Sequence, residues 1–189
     1  MGDFAVTALH TMLILLAAFL AAFWEAAFPG IRNICGAQVD LMPPLIVYAA
    51  MTAPLPLVAL LAVWGGLLFD SLSANPLGIS VFPLFIVGFL IHLRRDLLLR
   101  DQLFAQYVLG FLASAVTPAL TVLLLLSMGK EPLLGWGSLW QWLVMSLGGA
   151  IASPVFFALF GWFNRLLGYE RAKETSFRPD REIHRGRKL

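Results

Sequence analysis

The fold of this chain is decided at residues 65–78, where an apolar run meets a charge and a turn: Gly65-Gly66-Leu67-Leu68-Phe69-Asp70-Ser71-Leu72-Ser73-Ala74-Asn75-Pro76-Leu77-Gly78. A carboxylate at membrane depth costs roughly 2.5–3.5 kcal/mol on insertion scales, so it seldom occurs there without a partner or a function. Glycines allow close backbone approach, and Asn-Pro followed by Leu-Gly predicts a tight turn. One segment therefore supplies a helix end, an intramembrane charge and a turn.

Composition places the chain among integral membrane proteins. Hydrophobic residues make up 60% of its 189 positions and charged residues 13%, and the mean hydropathy is +0.84. The charge is dense only after Leu167, so the net charge of +2 describes a tail and predicts no nucleic-acid partner. A single cysteine, Cys35, excludes a disulfide framework, and His10, His92 and His184 share no metal-ligand spacing. We expect no metal site and no cofactor.

The apolar runs predict an all-α polytopic membrane protein with about six transmembrane helices in one bundle. The expected spans are residues 4–28, 41–51, a third run that ends near 72, 77–93, 103–128, and a last span that ends near 167. Residues 1–167 then form the transmembrane domain, and residues 168–189 form a charged cytoplasmic tail. The run at 41–51 is short for a span, which indicates a short or tilted helix or a re-entrant segment that needs protein cover.

Two span counts are open. Pro54 and Pro56 favour a turn between the second and third runs, whereas a single kinked helix would give five spans and an outside amino terminus. Arg94, Arg95 and the basic tail should lie in the cytoplasm, and six spans place both termini there.

Three acidic residues and several small ones are candidates for structure or function. Asp70 either caps the turn that follows it at headgroup level or makes a buried polar contact within the chain or with a partner helix. Asp40 is best interpreted as a cap of the second helix, because Pro43 and Pro44 suit a first turn. Glu25 is expected at headgroup level. Four-residue spacings of small residues predict tight helix packing, internal by default: Gly110 with Ser114, Ser146 with Ala150, and Gly149 with Ser153.

Two segments resemble the MreD family of bacterial rod shape-determining membrane proteins. They are Asp40-Leu41-Met42-Pro43-Pro44-Leu45-Ile46-Val47-Tyr48 and the run from Gly66 to Gly78 quoted above, followed by a basic loop at Arg94-Arg95. The resemblance covers roughly residues 38–100, about a third of the chain. The motif and interaction candidates that it implies are Asp40, Pro43, Pro44, Tyr48, Gly66, Asp70, Ser73, Pro76, Gly78, Arg94 and Arg95.

The resemblance implies a non-enzymatic scaffold subunit of the cell-elongation complex that synthesises peptidoglycan, located in the bacterial inner membrane. The implied partners are the lipid bilayer, an MreC-like protein and, through it, a RodA-like glycosyltransferase, a class B penicillin-binding transpeptidase and, indirectly, the MreB filament. The family is also similar in architecture to the substrate-binding subunits of energy-coupling-factor transporters. An alternative is therefore a small-molecule-binding transporter subunit, with Glu25, Tyr48 and Asp70 facing the ligand. An intramembrane enzyme has only isolated carboxylates in its favour.

Overall fold

The computed structural model describes residues 2–27, 36–73, 76–96, 102–130 and 135–166. Within these ranges the chain is all-α, as the composition predicts, with six helices and no strand. The helices are α1 Gly2–Ala27, α2 Met42–Thr52, α3 Leu55–Leu72, α4 Val81–Arg94, α5 Leu103–Ser127 and α6 Trp136–Leu166. The predicted tail at 168–189 lies outside the described residues.

Four of the six helices are long and apolar enough to cross a membrane. Their apolar stretches are Ala8–Ala27, Leu55–Leu72, Leu103–Ser127 and Trp136–Leu166. The other two, α2 and α4, have 11 and 14 residues. At a rise of 1.5 Å per residue, α2 is about 16 Å long, about half the thickness of a bilayer's hydrocarbon core. The chain is thus a membrane helical bundle that combines four long helices with two short ones.

The short helix α2 is the centre of the bundle. It contacts all five other helices, and ten of its eleven residues are buried. A helix that is too short to cross the bilayer must have its exposed backbone ends covered by protein, because lipid offers no hydrogen-bond partners. The five surrounding helices provide this cover, as we expect for a short or re-entrant second segment.

Helices α2 and α3 form an antiparallel hairpin. Helix α2 ends at Thr52, and α3 begins at Leu55 after Pro54 in an extended conformation. Met42 at the start of α2 packs on Gly65 in α3, where an added Cβ would lie 2.9 Å from the Met42 sulfur. The chain therefore reverses at the prolines, and the single kinked helix of the five-span alternative does not form.

Helix α4 begins later than the sequence suggested. The prediction that a span starts at residue 77 is wrong, because residues 77–80 form a turn and the helix starts at Val81. Gly78 in this turn has a φ of +88°, a left-handed conformation that favours glycine. A Cβ on Gly66 would lie 2.8 Å from the Val81 Cα, so the two backbones touch where α4 starts.

Helices α5 and α6 pack through the small residues that the sequence singles out. An added Cβ on Gly110 would lie 2.5 Å from the Gly149 carbonyl oxygen and from the Ser153 Cβ. One on Gly149 would collide with Ser114. Pro118 lies inside α5, and the indole N–H of Trp142 donates to the carbonyl of Ala115 at 2.8 Å, one turn before that proline. The predicted tight packing is therefore internal.

The bundle has two chemically different ends. The acidic end is defined by Glu25, Asp40 and Asp70. It comprises the carboxyl end of α1, the start of α2 and the end of α3. The basic end, defined by His92, Arg94 and Arg95, lies at the other end of α2, where α4 finishes.

Candidate functional site at the acidic end of the bundle

The side chain of Asp70 is bound to Ser80. Asp70 is 2% exposed, and its two carboxylate oxygens accept the Ser80 hydroxyl at 2.5 Å and the Ser80 backbone N–H at 3.1 Å. Ser80 is the residue that immediately precedes α4, so Asp70 satisfies the amino end of that helix. The carboxylate of Asp70 therefore makes a buried polar contact within the chain.

The main chain of Asp70 also ends α3. Its carbonyl accepts the backbone N–H and the hydroxyl of Ser73, each at 3.3 Å. The motif residues Asp70, Ser73 and Gly78 therefore lie in one joint between α3 and α4, where Gly78 supplies the backbone geometry. Gly66 lies within the same joint, on the close approach to Val81.

Two carboxylates satisfy the buried amino end of α2. Glu25, from the end of α1, accepts the backbone N–H of Leu41 at 2.6 Å, and Asp40 accepts that of Met42 at 2.8 Å. The next two residues, Pro43 and Pro44, have no N–H to satisfy. The cap predicted for Asp40 is present, and the carboxylate of Glu25, which the sequence predicts at headgroup level, is bonded to the backbone of Leu41.

The segment before α2 is tied to α6. The side-chain amide of Gln141 accepts the backbone N–H of Gln38 at 3.0 Å and donates to the Gln38 carbonyl at 2.8 Å. Gly148 lies about two turns further along α6. It leaves room for Val39, since an added Cβ would lie 2.5 Å from a Val39 methyl carbon. Residues 38–41 therefore join α1, α2 and α6.

The other end of α2 is satisfied from the basic end. His92 hydrogen-bonds the Ala50 carbonyl through Nδ1 at 3.0 Å, and Arg95 donates to the Ala53 carbonyl at 3.5 Å. Carboxylates at the amino end and basic groups at the carboxyl end both match the dipole of α2. Both predicted arginines are exposed, and Arg95 contacts Ala53 at the end of α2.

Burial changes the acid–base behaviour of Asp40, which precedes the α2 helix. Its side chain is 6% exposed, and this burial raises the pKa of the carboxyl from 3.8 to about 6, although the hydrogen bond from the Met42 N–H lowers it. Among the described residues no cation forms an ion pair with Asp40. In the described part of the chain, no positive charge therefore balances the ionised carboxylate of Asp40.

Two cavities open beside these carboxylates. One of about 310 Å³ is lined by Glu25, Gln38 and Ser73 with apolar neighbours from α1 and α3. The other, of about 230 Å³, lies among helices α2 to α6, and its lining comprises Asp40, Met42, Phe69, Ser80, Leu84, Thr117, Pro118, Thr121, Val122, Leu125 and Met145. Asp70 lines neither of these two cavities.

The ligand-facing set of the transporter alternative is not brought together. Tyr48 is 3% exposed and stacks on Phe160 with ring centroids 4.4 Å apart, and its hydroxyl lies 3.2 Å from His10 Nε2. Glu25 and Asp70 are instead bonded to the backbone of Leu41 and Ser80. The remaining candidate, Pro76, accepts the N–H of Ile79 in the turn after α3.

Sequence reasoning missed two contributors to this site, Ser80 and Gln141, and it named Glu25 without predicting the contact that Glu25 makes. Ser80 carried a usable signal, since a serine before an apolar run is typical of a helix start. Glu25 and Gln141 carried none, because their partners lie 16 and 103 residues away. Among the described residues, no group of three or more His, Cys, Asp or Glu side chains could hold a metal ion.

No protein-family model, curated protein or solved structure matches the chain.

Proposed function

We propose that this chain is a non-enzymatic scaffold subunit of the bacterial cell-elongation complex, the role implied by its resemblance to the MreD family. The hydrogen bonds made by the motif carboxylates are the observation that best supports this role. Asp70 binds Ser80 across the connection between α3 and α4, and Asp40 binds the backbone of Met42 at the start of α2, so both support the ends of helices. A motif that shapes the end of a bundle suits a protein that presents a rigid surface to partners.

The connection between α3 and α4 is the proposed contact with an MreC-like protein. Leu77 in this turn is 73% exposed, and Leu72 at the end of α3 is 55% exposed. Both belong to the joint that Asp70 and Gly78 fix in place. Through the MreC-like protein, the chain would reach a RodA-like glycosyltransferase, a class B penicillin-binding transpeptidase and, indirectly, the MreB filament.

The charge distribution orients the chain in this proposal. Basic residues flanking spans favour the cytoplasmic side, so the basic end faces the cytoplasm and the acidic end faces outward in the inner membrane. His10 near the start of α1 and Phe160 near the end of α6 both pack on Tyr48, which places these two helix ends near each other. A reporter active only in the cytoplasm, fused to either terminus, should be active, and an inactive amino-terminal fusion would contradict this orientation.

Recovery of partners from native membranes tests the scaffold role. Tagged chain should co-purify with an MreC-like protein and the two peptidoglycan enzymes. Asp70→Ala removes the acceptor of both Ser80 donors, so at matched membrane abundance it should reduce this recovery and cause loss of rod shape. Asp70→Asn retains one acceptor and should have a milder effect. The control is Asp96→Ala, because Asp96 is also a carboxylate but its side chain is 92% exposed, and its ion pair with Arg95 at 3.8 Å lies at the opposite, basic end of the bundle.

Three outcomes would count against the scaffold role. Recovery of an ATPase pair with a coupling subunit would replace it with the transporter alternative. Normal partner recovery and normal cell shape for Asp70→Ala would show that the connection between α3 and α4 does not contribute to the function. Turnover of a lipid-linked or peptide substrate by the purified chain, abolished by Asp70→Ala, would contradict the non-enzymatic assignment.

A further inference from the structure

The 230 Å³ cavity has a lining that can accept hydrogen bonds but not donate them. Thr117 donates its hydroxyl hydrogen to the Ala113 carbonyl at 2.8 Å, and Thr121 donates to the Thr117 carbonyl at 3.0 Å. Ser80 donates its hydroxyl hydrogen to Asp70. Pro118, which also lines the cavity, has no N–H at all. Each hydroxyl therefore has only lone pairs left for an occupant.

The fourth polar residue of the lining, Asp40, adds negative charge. One of its carboxylate oxygens accepts the Met42 N–H, and the group is 6% exposed without a cation partner among the described residues. A buried charge is costly unless it is paired. The remaining lining is apolar, with aliphatic, methionine and phenylalanine side chains. The cavity thus combines an uncompensated carboxylate, three hydroxyl acceptors and an apolar wall.

We propose that this cavity binds an amphiphilic primary amine, with its ammonium group at Asp40 and its hydrocarbon part against the apolar wall. An ammonium carries three donors and no acceptor, the complement of this lining. The volume suits such a molecule, since a cavity of about 150 Å³ in another protein holds benzene. Asp40 and Ser80 take part in both this cavity and the helix ends of the proposed scaffold, but the proposed partner contact at Leu77 and Leu72 lies outside the cavity lining.

The lining also favours a lone ammonium group over a phosphate-containing head group and over a metal cation. A phosphate next to the ammonium, as in a phosphatidylethanolamine head group, would meet only acceptors and a carboxylate. A bare sodium or potassium ion would find oxygen ligands, but would leave the apolar part of the cavity unfilled. The amine without an anionic group therefore fits best.

Thermal unfolding of the full chain purified in detergent tests the proposal, with octylammonium, octanol and octanoate as probes. A ligand that binds the folded state raises the unfolding temperature in a saturable way. Octylammonium should do so at concentrations roughly tenfold lower than octanol, because a charge-assisted hydrogen bond is stronger than a neutral one. Octanoate should produce no saturable shift.

Variants assign the effect to the cavity. Asp40→Asn should abolish the preference for octylammonium over octanol. Thr121→Val keeps the shape of the side chain but removes an acceptor, so it should weaken the binding of octylammonium and leave the binding of octanol unchanged. This variant keeps the test valid if Asp40→Asn does not fold. Leu125→Trp should abolish both shifts by filling the cavity. Asp96→Asn, which neutralises an exposed carboxylate, should bind like the unaltered chain.

Several results would overturn the proposal. These are equal potency of octylammonium and octanol on the unaltered chain, retained binding in Leu125→Trp, and retained preference in both Asp40→Asn and Thr121→Val. Sodium or potassium chloride alone reproducing the shift would assign the site to a metal cation. Phosphatidylethanolamine reproducing the shift where phosphatidylglycerol does not would assign it to a lipid head group.

Discussion

Glu25 and Leu41 are joined by a hydrogen bond of 2.6 Å between a carboxylate oxygen of α1 and the backbone N–H that precedes α2. This contact spans 16 residues and holds the first long helix against the amino end of the buried central helix. Asp40 satisfies the adjacent N–H, and the two prolines that follow have none. The backbone N–H groups of Leu41 and Met42 are thus each matched by a carboxylate oxygen, whereas the second carboxylate oxygen of Glu25, Oε2, is buried without a hydrogen-bond partner among the described residues.

Loss of the Glu25 acceptor should destabilise the fold. Glu25→Ala leaves the Leu41 N–H without its partner, and an unsatisfied buried donor costs about 1–3 kcal/mol. Glu25→Gln retains an acceptor oxygen and should cost less. Denaturant unfolding of the purified chain in detergent measures both, with the exposed Asp96→Ala as the control. Equal stability of Glu25→Ala and the unaltered chain would show that the contact contributes nothing.

The bond between Asp70 and Ser80 should be measurable as a pairwise coupling. Asp70→Ala and Ser80→Ala each remove the same hydroxyl–carboxylate contact, so their effects on the free energy of unfolding should not add. Contacting residues in one network show interaction energies of about 0.5–3 kcal/mol, and we expect a value in this range. The Ser80 backbone N–H remains in both variants, which confines the measurement to the hydroxyl. Strict additivity would mean that the side chains are energetically independent.

The fold was predictable from local signals, and the site only in part. The two prolines at 54 and 56 marked a reversal, and Asp40 before two prolines marked a helix start; both signals depend on neighbours in sequence. The start of α4 was misplaced, because the apolar residues at 77 and 79 extend the hydropathy pattern into a turn. The partners of Glu25, Gln141 and His92 lie 16 to 103 residues away and follow only from packing.

The crossing of α5 and α6 should tolerate no added methyl group at Gly149. An alanine there would collide with Ser114, so Gly149→Ala should destabilise the bundle by about 1–3 kcal/mol, the usual cost of overpacking. Gly161 lies on the same helix with no atom within 4 Å of an added Cβ. Gly161→Ala should therefore be neutral or stabilising by up to about 1 kcal/mol, since alanine favours helices. Equal unfolding midpoints for the two variants would contradict the close approach.

The buried carboxyl of Asp40 should make stability depend on pH. Burial raises its pKa from 3.8 to about 6, so the folded state binds the proton more tightly than the unfolded chain does. The stability that this proton supplies is fully present below pH 3.8 and is lost as the pH rises to about 6. A shift of this size corresponds to at most about 3 kcal/mol. Asp40→Asn cannot titrate, so its free energy of unfolding should change less than that of the unaltered chain between pH 4 and 6. The comparison is best made in a Glu25→Gln background, which removes the neighbouring carboxyl, and identical pH profiles with aspartate and asparagine at position 40 would contradict the assignment.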